Sequence, residues 1–209
     1  MSDDPKRIVA TGYDTIAERY AEWAASFESP AMKWLDKLLA RLEDGSNVLE
    51  LGCGGGGPAT RALAERHHLF GVDISPRQIE RARARVPNAS FLCADATELE
   101  LEPGRFDAVV SLYMLGHVPR AEQAPLLASI VSWLRPGGWF LTTMGTAGAE
   151  DEVEDDWLGA PMFWASFDEA TNRQMLNDAG FELVEARVIA MEEPGQGLVS
   201  FMWVLARRS

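Results

Sequence analysis

Basic side chains are scarce in this 209-residue chain: 19 Lys and Arg stand against 32 Asp and Glu, a formal charge of −13. A surface of that sign repels phosphate backbones and anionic membranes, so neither nucleic acid nor a membrane is expected as a direct partner. Cysteine is nearly missing, with only Cys53 and Cys93. Two thiols make no disulfide framework and have no metal-ligand spacing to a histidine, which points to a reduced, cytoplasmic setting and to no metal. No run of 18 apolar residues occurs, so no membrane-spanning helix is expected. Residues 1–7 are too polar to form the apolar core of a signal peptide. There are no internal repeats and no low-complexity tracts. An apolar content of 47% over this length fills one core rather than two.

Glycine, in contrast, is concentrated. Residues 48–58 (VLELGCGGGGP) run from an apolar strand into a glycine loop and then to a proline. Gly52 and Gly54 lack a Cβ, so the chain can turn sharply and a ligand can lie against bare backbone. Pro58 suits a first helical position, and the unpaired N–H groups of that helix face whatever the loop holds. Glu50 precedes the first glycine by two residues, and Asp73 closes the next apolar run, where a carboxylate can accept both hydroxyls of a ribose. The spacing of Gly52, Gly54 and Gly57 also satisfies a dinucleotide fingerprint, so by itself it leaves the choice of nucleoside open.

Around this loop the pattern is that of an α/β protein. Residues 10–42 carry apolar side chains at helical spacing, broken at Ser29 and Pro30, and predict two helices before the first strand. Strands follow at 69–72, 90–94, 106–112 and 139–144, with helices between them, which predicts a parallel sheet covered on both faces. Residues 166–169 (SFDE) match a capping box with Ser166 as N-cap, opening a helix that ends at Gly180. His67 and His68 are expected to end a helix and to face solvent or complement its dipole. Residues 181–191 and 198–206 have no helix between them and predict a closing hairpin, which adds an antiparallel strand. One domain is expected, divided into a helical extension (1–45), a cofactor-binding core (46–144), a lid (145–167) and a C-terminal helix with hairpin (168–209).

Five segments together resemble the class I S-adenosylmethionine-dependent methyltransferases: 48–56 (VLELGCGGG), 71–75 (GVDIS), 92–96 (LCADA), 106–111 (FDAVVS) and 134–138 (LRPGG). The resemblance implies a Rossmann-like, seven-stranded mixed sheet with one antiparallel terminal strand and S-adenosylmethionine as cofactor. It also implies roles. Gly52 and Gly54 would receive the methionine portion, with Glu50 positioning it, and Asp73 would hold the ribose. Ile74 would pack on the adenine, Asp95 and the Ala96 N–H would read its edge, and the Ser111 carbonyl would meet the methionine ammonium. Tyr20, in a segment resembling the family's N-terminal helix, would meet the methionine carboxylate.

For the acceptor, expected to be a small molecule methylated on oxygen or nitrogen, His117 is the candidate base and Tyr113 a candidate contact. Trp157, Phe163 and Trp164 are expected to wall its pocket beneath the acidic and aromatic segment 150–167. The competing functions are a nicotinamide-dependent oxidoreductase, suggested by the glycine spacing, and a cofactor-binding module without catalysis. Glu50, the helical prelude and the closing hairpin weigh against the first.

Overall fold

The computed structural model describes residues 4–209; residues 1–3, part of the segment read as too polar for a leader, lie outside the described residues. Helix α1 spans Pro5–Ala24, with the Asp4 side chain accepting the Lys6 N–H as its cap, and α2 spans Ala31–Leu39. The alternating section follows: β1 (Asn47–Leu51), α3 (Pro58–Arg66), β2 (His68–Asp73), α4 (Pro76–Arg85), β3 (Ser90–Cys93), β4 (Phe106–Ser111), α5 (Arg120–Trp133) and β5 (Leu134–Gly145). Pro58 and Pro76 each occupy a helix's first turn, where a missing N–H costs nothing.

The seven-stranded sheet has the order β3-β2-β1-β4-β5-β9-β8. β1 to β5 are parallel, and β9 (Gly197–Arg208) is antiparallel to both β5 and β8 (Phe181–Glu193). The hairpin therefore closes the sheet as expected, with the last strand inserted inside the edge. Connections from β1 lead one way and those from β4 the other. A crevice opens at this reversal, beyond the carboxyl ends of the strands. Leu49, Leu51 and Val109 pack on one face under α5 and the later helix α6 (Glu169–Ala179), while Val48, Ala108 and Val110 pack on the other under α2, α3 and α4. The central strands are buried on both faces, which is why they read as nearly continuous apolar runs.

Three expectations are corrected. The segment read as a lid contains a second, two-stranded sheet, β6 (Glu152–Trp157) with β7 (Ala160–Trp164), turning at Leu158 and Gly159, both with positive φ. The cap of α6 (Glu169–Ala179) is Asp168, whose Oδ1 accepts the Thr171 N–H at 2.7 Å, and not Ser166. Ser166 instead ties the two ends of the excursion together: its N–H donates to the Ala149 carbonyl at 2.9 Å and its Oγ accepts the Ala149 N–H at 3.1 Å. His67 is buried rather than turned to solvent. No described helix is long and apolar enough to cross a membrane.

The β6–β7 hairpin is held by α1 through a third apolar cluster containing Val9, Ile16, Trp157, Ala160, Met162 and Phe163. Gly12 makes that contact possible. A Cβ there would lie 2.7 Å from the Pro161 carbonyl oxygen and 2.9 Å from the Met162 Cε. Gly12→Ala gains up to about 1 kcal/mol of helix propensity and loses about 1–3 kcal/mol to overpacking against backbone. The expected result is a melting temperature lowered by several degrees, at ~2–4 °C per kcal/mol for a domain of this size. A raised melting temperature would show that α1 does not seat on the hairpin in this way.

Candidate active site

The crevice is built on the ends of β1 and β2. After Leu51, the Gly52 and Cys53 N–H groups both donate to the Val72 carbonyl, at 2.8 and 3.1 Å. Gly52 has φ +73°, and a Cβ there would come within 2.7 Å of the Met114 Cβ, so the loop's first corner admits only glycine. Gly54, at φ +51°, faces open space, and its N–H donates to Asp73 Oδ2 at 2.9 Å. Asp73 Oδ1 accepts the Ser75 N–H at 2.9 Å. One carboxylate thus pins the glycine loop to the start of α4. Burial pushes the Asp73 carboxyl up to about 6 against the opposing pull of these hydrogen bonds.

Glu50 lies beneath the loop and outside the lining of the crevice, 6% exposed. Its Oε1 accepts the Thr60 hydroxyl at 3.2 Å, and Oε2 is buried without a hydrogen-bond partner among the described residues. Burial pushes this carboxyl up to about 8; Thr60 opposes the shift and the charge of Asp73 adds to it. Ser111 is likewise fully buried and off the lining, its carbonyl accepting the Thr142 hydroxyl at 2.9 Å.

The crevice offers about 760 Å³ of empty space, the open solvent at its mouth included. Gly52, Gly54, Asp73, Ile74, Asp95 and Ala96 all line it, and α1 roofs it with Lys6, Tyr13 and Tyr20. Asp95 caps the short turn after β3, accepting the Thr97 N–H at 2.9 Å, and pairs with Lys6 Nζ at 2.7 Å. Burial alone would raise the Asp95 carboxyl, but the hydrogen bonds from Lys6 and Thr97 hold it below the usual carboxylate range. Lys6 also reaches Glu122 at 2.8 Å, so one ammonium ties the start of α1 to both β3 and α5.

A second cavity, broader and more open at about 1750 Å³, adjoins the first, and Tyr13, Tyr20, Tyr113 and His117 line both. His117 is held on two sides. Its Nδ1 lies 2.9 Å from the Phe163 carbonyl, which can only accept, so Nδ1 carries the proton and Nε2 accepts from the Tyr13 hydroxyl at 2.8 Å. Burial pushes its pKa down to about 4, although the Phe163 carbonyl favours the charged ring. The imidazole is therefore neutral at pH 7 with both nitrogens engaged. Any proton reaching it arrives through Tyr13, so the sequence-based expectation of a directly presented base is corrected to a Tyr13–His117 pair.

Tyr113 adopts φ +59° just after β4, its N–H donating to Thr143 Oγ1 at 2.6 Å and its hydroxyl lying 2.7 Å from Ser29 Oγ. Left-handed backbone in a bulky residue is strained and persists where the surroundings hold it. Of the expected acceptor walls, Trp157 and Trp164 line the second cavity. Phe163 does not: its ring packs in the cluster under α1, and only its carbonyl serves the site. Tyr13, Lys6 and Trp23 escaped sequence reasoning. Tyr13 carried a signal, since it stands seven residues before Tyr20, about two helical turns, on the same face of α1.

A family model described as a methyltransferase domain matches residues 48–138. The chain is 31% identical over 181 residues to the 27-O-demethylrifamycin SV methyltransferase of Amycolatopsis mediterranei, covering 74% of this chain and 66% of that protein. It is 35% identical over 132 residues to the 2-methyl-6-phytyl-1,4-hydroquinone methyltransferase of Synechocystis, covering 61% and 40%. Among the first of these curated relatives the chain spans from about half to about two thirds of their length. In fold it is similar to the magnesium protoporphyrin IX methyltransferase of Synechocystis solved with S-adenosylmethionine bound, with TM-score 0.74 at 19% identity over 99% of this chain and 98% of that one. The chain belongs to the class I S-adenosylmethionine-dependent methyltransferase family.

The raised carboxyls give the ligand-free protein a pH signature. Glu50 moves from 4.5 unfolded to about 8 folded, so between those values the folded state keeps a proton that the unfolded state has lost, and stability falls as pH rises. Above pH 6.5 His117 is neutral in the folded state and loses only its remaining half proton in the unfolded one, and Asp73 is mostly ionised, which leaves Glu50 to dominate the slope among these three. The melting temperature should drop by a few degrees from pH 6.5 to 8, and Glu50→Gln should flatten that slope. An equal slope in the variant would mean that Glu50 is ionised in the folded protein.

Proposed function

We propose that the chain transfers a methyl group from S-adenosylmethionine to an oxygen or nitrogen of a small-molecule acceptor. The observation that carries this reading is the junction of two cavities at Tyr13, Tyr20, Tyr113 and His117: a crevice on the glycine loop and an aromatic vestibule beyond it. Names among the relatives, such as a rifamycin methyltransferase and a ubiquinone biosynthesis O-methyltransferase, fit an acceptor of this size.

The crevice fits the cofactor. Gly54 leaves the loop's outer side bare for the methionine portion, Gly52 makes the turn against Met114, and Glu50 stiffens the loop from below through Thr60. Each Asp73 oxygen has accepted one backbone N–H and keeps lone pairs for the ribose hydroxyls. Ile74 offers an apolar side chain to the adenine, with Asp95 and the Ala96 N–H at its edge. Tyr20 would complete the methionine end, whereas Ser111, expected there from the resemblance, lies buried behind the lining with its carbonyl on the Thr142 hydroxyl. The cofactor supplies a methyl group on a positively charged sulfur, already bonded to a good leaving group.

What remains for the chain is positional. Tyr113, fixed by Thr143 and Ser29, and Tyr13, fixed by His117, stand on two sides of the passage between the cavities. The Tyr13 oxygen, having given its hydrogen to His117, can accept one from an acceptor's O–H or N–H and so aim the acceptor's lone pair. Trp157 and Trp164 wall the vestibule, and α1 with the β6–β7 hairpin keeps bulk water from the passage.

Calorimetry tests the cofactor half. S-adenosylmethionine and S-adenosylhomocysteine should bind and NAD should not, and Asp73→Ala should weaken the first two by about tenfold or more, the loss of about two hydrogen bonds to a charged group. Tighter binding of NAD would overturn the assignment. Trp164→Ala should raise the acceptor's KM several-fold with cofactor affinity unchanged; the reverse pattern would move the acceptor elsewhere.

A further inference from the structure

The vestibule has a charge character that the proposed function does not use. Its wall is a run of rings in mutual contact: Tyr20 and Trp23 stack at 5.9 Å, Trp23 meets Trp157 edge-on at 5.7 Å, and Trp157 meets Trp164 at 5.1 Å. Ring faces attract cations. Elsewhere the chain satisfies that attraction itself, with Lys37 over Trp34 at 4.2 Å and Arg207 over Trp139 at 5.8 Å. Among the described residues no lysine or arginine lies over any of the four vestibule rings, and none lines the cavity. Nearby guanidiniums are spent on backbone: Arg19 donates to the Leu158 carbonyl, and Arg120 to those of Gly148 and Ser166.

Among hydroxyls and an amide, the acidic side chains of the lining are Glu152, Glu154 and Glu193. Glu154 lines the cavity and accepts the Trp164 indole N–H at 3.0 Å. Glu193, at the end of β8, also lines it and is only 8% exposed, yet it makes no side-chain hydrogen bond or ion pair among the described residues. It does not line the crevice on the glycine loop, so it is not a counter-charge for a group seated there. Its oxygens are not among the sealed, unpartnered atoms, so they reach the cavity, where a cation from outside the chain can pair with them.

We propose that the acceptor bound in this vestibule carries an ammonium group, held between Glu193 and the ring faces of Trp23, Trp157 and Trp164, while a neutral oxygen or nitrogen elsewhere on the same molecule receives the methyl group. This rests on the assignment of the vestibule to the acceptor. An acceptor bearing a carboxylate or phosphate would meet only like charge there. Burial raises the Glu193 carboxyl, as expected for a charge awaiting its partner, and its field reaches Tyr13, Tyr20 and Tyr113 at the passage. The chain's net charge of −13 draws cations toward the opening.

Binding to the full chain saturated with S-adenosylhomocysteine, followed by tryptophan fluorescence, tests this with three probes: phenyltrimethylammonium, its neutral isostere tert-butylbenzene, and benzoate. The cation should bind about tenfold more tightly than the isostere, as expected for a desolvated cation–π site with a counter-charge, and benzoate should bind least. Glu193→Gln should cut the cation's advantage several-fold while leaving S-adenosylhomocysteine affinity intact, which also certifies that the variant folds. Equal binding of cation and isostere, tighter binding of benzoate, or an unchanged preference in Glu193→Gln would overturn the proposal. Failure of S-adenosylhomocysteine to bind at all would instead remove the methyltransferase reading, so the two failures are distinguishable.

Discussion

The hydrogen bond from the Gly54 N–H to Asp73 is the contact on which the site depends. β1 and β2 run parallel with Leu51 opposite Val72, so two strands end side by side and their continuations must part. Gly52 turns away at a φ that a side chain would oppose, and Asp73 catches the chain one residue beyond Cys53. The same carboxylate holds the Ser75 N–H at the entry to α4. Loop and helix are thereby fixed to one another through a single group. Burying Asp73 above Glu50 pushes both carboxyls toward protonation, so the site is assembled at some expense to the stability of the ligand-free protein.

A second layer roofs this crevice. α1 crosses the carboxyl ends of the strands, anchored by Lys6 on Asp95 and Glu122 at one end and by the Trp23 indole on the Pro194 carbonyl at the other. The β6–β7 hairpin packs against α1 through Gly12 and the aromatic cluster. His117 joins the layers, since its ring bridges the Tyr13 hydroxyl of α1 and the Phe163 carbonyl of β7. Its neutrality follows from that position. A histidine with both nitrogens engaged in a buried joint serves as a strut for Tyr13 and as a sink only for Tyr13's own proton.

The sheet was legible because its strands are buried on both sides and read as apolar runs such as residues 106–112, punctuated by proline and glycine at helix starts and turns. Gly52, Gly54 and Asp73 were legible from the glycine loop and the strand end beside it, Ile74, Asp95 and Ala96 through the family resemblance, and in the structure all six share one lining. The roof was not. Residues 150–156 are acidic enough to hide a strand whose exposed face is solvated, and its partner strand is aromatic for the sake of α1, which local periodicity cannot reveal. Ser166 and Asp168 are both good caps, and only the closure of the hairpin on Ala149 decides between them. The pairing of Tyr13 with His117 spans 104 residues, and Phe163 enters the site through its backbone, a role open to any residue at that position.

Two cavities meeting at a tyrosine-lined passage define the account, and a crystal structure of the chain with S-adenosylhomocysteine tests it most directly. The adenosine is expected along Asp73 and Ile74 in the crevice, with the sulfur at the passage between Tyr13 and Tyr113, facing the vestibule. A nucleoside lodged in the vestibule, or a sulfur turned away from the passage, would contradict it.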